Sequence, residues 1–109
     1  MGFANNRGIE MSFESKIESG TLYIKIGGRF DFSLHKEFRD ASNLIVADIL
    51  KIEVDLAATH YLDSSALGML LVLRDKIAGN KESVVIKGAT ADVRKILQIA
   101  NFDKLFSIV

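Results

Sequence analysis

Hydrophobic and polar residues alternate strictly just after the pair Ser19-Gly20. The alternating positions are Leu22, Tyr23, Ile24, Lys25 and Ile26. Because successive side chains of a strand point to opposite faces, this period predicts a strand with one buried face. Residues 11–17 precede it across a pair that favours a tight turn. The pattern therefore predicts an N-terminal hairpin.

The segment after the predicted hairpin has hydrophobic residues at the spacing of a helix. The hydrophobic residues Leu34, Phe38, Ala41 and Ile45 recur three or four positions apart, and Ser33 precedes them as a candidate N-cap. Two further helices are predicted, one over residues 64–78 up to the break at residues 79–80, and one after residue 90. Aliphatic and β-branched segments predict strands over residues 52–56, 84–86 and 105–109.

The order of these elements predicts an α/β fold. A mixed sheet of four to five strands is expected, with the N-terminal hairpin first and then parallel βαβ units joined by right-handed crossovers, and with helices packed on the sheet. Loops that leave the carboxyl ends of parallel strands gather at one edge. Asp31, the pair Asp63-Ser64 and residues 88–90 are therefore expected to lie near one another.

Composition narrows the class of protein. A chain of 109 residues, 49% of them hydrophobic, is long enough for one compact domain. Fourteen acidic and fourteen basic residues cancel, which argues against nucleic acid as a partner, and the absence of cysteine excludes disulfides and thiolate metal sites. The longest apolar stretch, residues 66–73, is far below the roughly 20 residues that span a bilayer.

These bounds predict a soluble protein with no membrane partner, and the absence of cysteine is compatible with the cytoplasmic location that we expect. Residues 11–109 are expected to form the single domain. Residues 1–10 show little periodicity, and Met11 is a possible natural start. We therefore interpret residues 1–10 as a flexible extension or a tag.

Asp63 and Ser64 stand where a predicted strand gives way to an apolar helix. Both are preferred N-cap residues, so the pair can serve only to satisfy backbone amides such as that of Leu67. The same position lies beside unpaired amides and the positive end of the helix dipole, which would accommodate a phosphate on Ser64. Asp31, between a strand and a helix, has the same two interpretations, a cap or a functional residue.

The predicted helix that starts at Ser64 is apolar on all sides over its first two turns. One interpretation is burial of both sides within the domain. The other is that part of its surface, at Met69 and Val72, is reserved for a protein partner.

Catalytic, metal and nucleotide chemistry have little support. His60 and Ser64 lie in a short segment that does not fix a hydrogen bond between them, and neither an orienting acid nor a glycine-rich oxyanion loop is evident. His35 and His60 lack the spacing of a zinc site, and no phosphate-binding glycine loop occurs. We therefore expect no enzyme activity, no metal and no cofactor.

Three segments carry a resemblance to a known family. Residues 54–56 (VDL) and 61–70 (YLDSSALGML) resemble the signature of anti-sigma factor antagonists within the STAS domain family, and residues 28–31 (GRFD) resemble its glycine-x-hydrophobic-aspartate element. The resemblance extends over residues 12–109. Two departures stand out: Ala66 replaces a common glycine, and residues 57–60 lack the usual aspartate-hydrophobic-serine pattern.

The resemblance implies a partner-switching protein. An unphosphorylated antagonist of this kind binds an anti-sigma factor, often a GHKL-type serine kinase, and so frees a sigma factor for transcription. The kinase would modify Ser64, with Ser65 as the neighbouring alternative, and a PP2C-type phosphatase would restore the active form. The expected partner-binding residues are Asp31, Asp63, Ser64, Ser65, Ala66, Met69 and Val72. A second hypothesis is a constitutive STAS subunit of a transporter or signalling assembly.

Overall fold

The computed structural model describes residues 12–46, 48–77 and 81–109. The predicted N-terminal extension and the break at residues 79–80 lie outside them. The strands are β1 (Ser12–Glu18), β2 (Thr21–Phe30), β3 (Lys51–Leu62), β4 (Val84–Lys87) and β5 (Ser107–Ile108). The α-helices are α1 (His35–Ser42), α2 (Ser64–Ile77) and α3 (Ala91–Ile99), and three-residue 3-10 turns cover Phe32–Leu34, Lys81–Ser83 and Phe102–Lys104.

The strands form one mixed sheet in the order β1-β2-β3-β4-β5. β1 and β2 are antiparallel, and the other neighbouring pairs are parallel. Ser19 and Gly20 both have positive φ, 51° and 79°, as a tight two-residue hairpin turn requires. The predicted α/β fold with an N-terminal hairpin and parallel βαβ units is therefore confirmed.

The helices and one face of the sheet enclose the hydrophobic core. Fully or almost fully buried strand residues include Leu22, Ile24, Ile26, Ile52, Val54, Leu56, Val84 and Ile86. Phe38, Leu70 and Leu97 complete the core from α1, α2 and α3. On the opposite face the strands carry polar residues, and the Lys87 ammonium lies 2.9 Å from the Glu53 carboxylate.

Two local predictions around α1 were wrong. Ser33 does not cap α1. Asp31 is the N-cap of the preceding 3-10 turn Phe32–Leu34, where its carboxylate accepts a hydrogen bond from the Ser33 amide, and α1 itself follows Leu34 without a side-chain cap hydrogen bond. The α-helix begins only at His35. It also ends at Ser42, so Ile45 packs against the core from the loop that follows.

Strand β3 is longer than predicted. The segment 57–60, which lies beyond the predicted strand 52–56, belongs to β3. β3 therefore contains two more residues than the paired stretch of β2. Each extra residue is a β-bulge, so the buried residues Leu56, Thr59 and Leu62 fall at every third position and the period of two is lost. The buried Thr59 hydroxyl donates a hydrogen bond of 2.8 Å to the carbonyl of Ile26.

The extra length of β3 separates two loops that we expected to meet. β4 ends where Lys87 pairs with Asp55, and Gly88 lies against Asp55 and Ala57. β3 continues from Asp55 to Leu62, a distance of roughly 20 Å along an extended strand. The prediction that residues 88–90 join Ser64 in one site was therefore wrong.

Candidate functional site

The site is built where β2 and β3 end side by side. Phe30 and Leu62 are paired in the parallel ladder, so the next residues, Asp31 and Asp63, leave the sheet together. Ser64 then begins α2. The structure thus brings Asp31, Asp63 and Ser64 to the same edge of the sheet, as the sequence predicted.

Asp63 caps α2. Its Oδ1 atom accepts hydrogen bonds from the Ser65 hydroxyl (2.6 Å) and from the Ala66 amide (3.0 Å), and its carbonyl accepts one from the Leu67 amide. The Ser65 hydroxyl is the main reason why the pKa of Asp63 is lowered from 3.8, against the opposing effects of burial and of the Asp31 charge. Asp63 is therefore ionised at neutral pH.

The two serines of the motif differ. The Ser65 hydroxyl donates to Asp63, and its side chain is half-buried. Ser64 is exposed at the first position of α2, and within the described residues its hydroxyl has no hydrogen-bond partner. Ser64 is therefore the hydroxyl that an enzyme could reach without breaking the cap.

Asp31 is held by a second set of contacts. Its carboxylate accepts hydrogen bonds from the amide and the hydroxyl of Ser33, and its Oδ2 atom lies 3.2 Å from the Arg29 Nε atom. The Ser33 hydroxyl contributes most to lowering the pKa of Asp31 from 3.8. The Arg29 guanidinium in turn lies over the Tyr61 ring, 4.9 Å from its centroid. Asp31 is therefore a second carboxylate that is charged at neutral pH.

The predicted partner-binding residues of α2 fall into two groups. Ser64 and Val72 are exposed, and Gly68 lies between them, one turn from each. Ala66 and Met69 retain only 0% and 8% exposure, because they lie on the side of α2 that packs in the core. Because Ala66 and Met69 face the core, the exposed stripe of α2 is formed by Ser64, Gly68 and Val72.

A shallow groove of about 130 Å³ adjoins this stripe between α1 and α2. It is lined by His35, Phe38, Arg39, Ser42, Met69, Val72 and Leu73. Met69 therefore contributes to this groove with the small part of its surface that stays accessible.

Sequence reasoning missed two aromatic residues beside the site. Phe32 is 64% exposed and stacks on His35, and Tyr61 is 44% exposed beneath Arg29. Phe32 had a detectable signal, since it is a large apolar residue that directly follows a candidate cap and lies outside the hydrophobic stripe of α1. Tyr61 had none, because the bulges of β3 decide which face it occupies.

His60 is exposed on β3, and in the part of the chain that the structure describes it forms no hydrogen bond with Ser64. In residues 12–46, 48–77 and 81–109, no three histidine, aspartate or glutamate side chains are grouped to hold a metal ion. None of the described helices is long and apolar enough to cross a membrane.

Comparison with known proteins identifies the family. Residues 13–109 match the family model described as "Mlab, STAS domain". The chain belongs to the STAS domain family. A STAS-domain-containing protein of Pseudomonas aeruginosa strain UCBPP-PA14 is 48% identical to it over 87 residues, which cover 80% of this chain and 86% of that protein.

Solved structures agree with a STAS fold. An anti-sigma factor antagonist from Mycobacterium paratuberculosis has a TM-score of 0.75 at 20% identity, covering 95% of this chain and 89% of the other. The Bacillus anti-sigma factor antagonist SpoIIAA, in its unphosphorylated form, has a TM-score of 0.65 at 18% identity over 81% and 83% of the chains. A sulfate transporter family protein from Wolinella succinogenes also has a TM-score of 0.65, at 13% identity over 86% and 82%.

Proposed function

We propose that this STAS domain is a cytoplasmic, phosphorylation-controlled antagonist of an anti-sigma factor. In its unphosphorylated form it binds the anti-sigma factor and frees a sigma factor for transcription. A GHKL-type serine kinase, which can be the anti-sigma factor itself, phosphorylates Ser64, and a PP2C-type phosphatase reverses this step. The protein acts as a binding module and not as an enzyme.

One observation carries this proposal: the exposed Ser64 hydroxyl beside two charged carboxylates. The neighbouring Ser65 hydroxyl is engaged by Asp63, which leaves Ser64 as the acceptor. The likeness to SpoIIAA, whose structure is known in a phosphorylated and an unphosphorylated form, supports the same interpretation.

A phosphate on Ser64 would alter the surface more than the fold. It adds about −1.5 to −2 charges next to Asp63 and Asp31 at neutral pH. The N-terminus of α2 tolerates that charge, because the helix dipole favours an anion there. A partner surface fitted to the neutral hydroxyl would instead have to accommodate three adjacent negative groups.

The contact surface that we propose surrounds Ser64. Phe32 supplies an exposed aromatic ring on one side, and Val72, which is 52% exposed, supplies an aliphatic side chain two turns along α2. Exposed aromatic and aliphatic side chains are typical of the apolar core of a protein interface, whose rim is polar. If the phosphate costs the complex about 3 kcal/mol, the affinity falls by more than a hundredfold, which is sufficient for a switch.

Binding measurements with charge-mimicking variants test the switch. The probes are the purified GHKL-type anti-sigma kinases of the source organism, titrated with the wild type, Ser64→Asp and Ser64→Ala. We expect one kinase to bind the wild type and Ser64→Ala, and to bind Ser64→Asp about a hundredfold more weakly.

Thr90→Asp is the matched control. Thr90 caps α3 by accepting a hydrogen bond from the Val93 amide, so the variant adds a negative charge at another helix N-terminus and keeps a capping side chain. It should bind like the wild type. Equal binding of Ser64→Asp and the wild type, or no binding of the wild type to any of these kinases, would contradict the proposal.

A constitutive STAS subunit of a transporter or signalling assembly is the second candidate. The likeness to a sulfate transporter family protein favours it. In that role the surface around Ser64 would bind a partner permanently, and Ser64 would need no phosphate. Ser64→Asp should then leave the growth phenotype of a chromosomal replacement strain unchanged, whereas the switch predicts the phenotype of a deletion.

A further inference from the structure

Strand β1 is the longer of the two edge strands in the sheet that the described residues form. It contains seven residues, and among the described residues it is hydrogen-bonded to β2 alone. The other edge, β5, contains only two residues. An edge strand presents unpaired amide and carbonyl groups that can pair with another strand. β1 contains no proline, and its register with β2 is regular throughout.

The two faces of β1 are chemically distinct. Glu14, Lys16 and Glu18 lie on the open face of the sheet, opposite Lys25, Tyr23 and Thr21 of β2. Phe13 and Ile17 lie on the face that carries the helices. Ile17 is 46% exposed there, although its partner in the ladder, Leu22, is completely buried. The free edge therefore has an apolar residue near each end on one face and alternating charges on the other.

The side chains of β1 are complementary to those of a second, antiparallel copy of β1. When two β1 strands run antiparallel with Ser15 opposite Ser15, all seven residues overlap, and each residue pairs with one on the same face. Glu14 then lies opposite Lys16 of the second copy, and Phe13 lies opposite Ile17 of the second copy. Each pair occurs twice by symmetry. Opposite charges and apolar pairs directly across antiparallel strands are stabilising.

Neighbouring registers of the two β1 strands that keep the charged residues of both copies on one face and the apolar residues on the other are unfavourable. A shift that centres the pair on Glu14 places the two Glu14 side chains opposite each other. A shift that centres it on Lys16 opposes two Lys16 side chains and pairs Glu14 with Glu18. Like charges directly across a strand pair are destabilising. The register with the longest overlap is therefore also the one with matched charges.

We propose that two copies of this chain associate through antiparallel pairing of their β1 strands around Ser15, joining their two five-stranded sheets into one continuous sheet. This inference is independent of the partner switch. Ser64 follows β3, two strands away from the interface, so each copy keeps its own site. Because the pairing is antiparallel, the two sites lie toward opposite ends of the joined sheet.

Sedimentation of the full chain with charge-reversed variants tests this register. The wild type should show a concentration-dependent monomer–dimer equilibrium. Lys16→Glu places two glutamates opposite each other across the interface, and Glu14→Lys places two lysines opposite each other. Each variant alone should raise the dimer dissociation constant by at least about tenfold, a change of ~1.4 kcal/mol.

An equimolar mixture of Glu14→Lys and Lys16→Glu is the decisive sample. In the mixed dimer the first strand has lysine at both positions and the second has glutamate at both, so each of these cross-strand pairs is again opposite in charge. We expect its dissociation constant to return to the wild-type range. The contact of Lys16 with Glu18 within one chain cannot explain such a rescue, since mixing does not restore it.

Lys36→Glu provides the control. Lys36 is an exposed lysine of α1 that pairs with Asp40, so this variant makes the same charge change away from the edge and should dimerise like the wild type. Circular dichroism checks that every variant is folded. A wild type that stays monomeric up to millimolar concentration would overturn the proposal. So would variants that dimerise like the wild type, or a mixture without rescue.

Discussion

At the scale of single residues, the two adjacent serines of the site have different roles. Sequence reasoning located the pair and left open whether Asp63 or Ser64 capped the helix. The choice depends on which side chain reaches the Ala66 amide, and this geometry is set by the angle at which β3 enters α2. The structure assigns the cap to Asp63 and leaves Ser64 exposed.

Replacing Asp63 tests the cap. Asp63→Ala removes the acceptor of the Ala66 amide and of the Ser65 hydroxyl, so the free energy of unfolding should fall by about 1 kcal/mol. Urea denaturation measures this change. Asp75→Ala, at an exposed position further along α2, should change stability by less than about 0.5 kcal/mol. Equal stability of Asp63→Ala and the wild type would show that the cap is unimportant.

Lowering the pH should remove the stabilisation that Asp63 provides as the cap of α2. Because the pKa of Asp63 is lowered from 3.8 in the folded state, its stabilisation is complete above that value and is lost as the pH falls through the folded pKa. The difference in unfolding free energy between the wild type and Asp63→Ala should therefore narrow in acid, below about pH 4. Denaturation curves over a pH series measure it, and a difference that widened in acid would contradict this assignment.

At the scale of elements, segments with a regular hydrophobic period were predicted correctly, and segments with an irregular period were not. The alternation in β2 and the helical period after Thr90 correctly predicted β2 and α3. The bulges of β3 could not be predicted from the sequence, because residues 57–60 contain two alanines and no strict alternation of hydrophobic and polar residues. The register of a bulge is also fixed by the neighbouring strand. Because of the same irregularity, the sequence did not predict the exposure of Tyr61 and wrongly placed residues 88–90 beside Ser64.

Helix α2 shows a similar limit to what the hydrophobic pattern can predict. Its first two turns are apolar on all sides, so its pattern alone did not distinguish core from surface positions. Packing decides: Ala66, Met69, Leu70 and Leu73 are buried, whereas Gly68 and Val72 are exposed. The exposed stripe continues from Ser64, which is why we interpret it as part of the partner surface.

Gly68 provides a way to separate stability from binding. A Cβ atom at this position would have no neighbour within 4 Å, so Gly68→Ala should stabilise the helix by up to about 1 kcal/mol. The same methyl group would lie between Ser64 and Val72 and hinder a closely packed partner. We therefore expect higher stability together with weaker binding of the anti-sigma kinase that we propose as the partner.

Denaturation and titration of the same samples measure the two effects. Gln98→Ala, at an exposed position of α3, is the control and should not change partner binding. Unchanged affinity of Gly68→Ala would place the partner away from the stripe, against the proposed surface.

At the scale of the whole molecule, the fold separates two surfaces. The carboxyl ends of β2 and β3 carry Asp31, Asp63 and Ser64, whereas the proposed contact between copies uses β1 at the side of the sheet. The order of elements was sufficient to predict the mixed sheet and the meeting of Asp31 with Asp63. It could not predict which loops stay apart, because that depends on the unequal lengths of β3 and β4.

Phosphorylation-site mapping tests the central claim most directly. The protein is isolated from its native cells under several growth conditions, with and without phosphatase treatment, and its peptides are analysed by mass spectrometry. We expect a phosphatase-sensitive phosphate on Ser64 and none on Ser65, whose hydroxyl is bonded to Asp63. Phosphate on Ser65 alone would contradict the assignment of Ser64 as the acceptor. No phosphate on either serine under every condition would contradict the switch and leave Asp63-Ser64 as the start of a helix only.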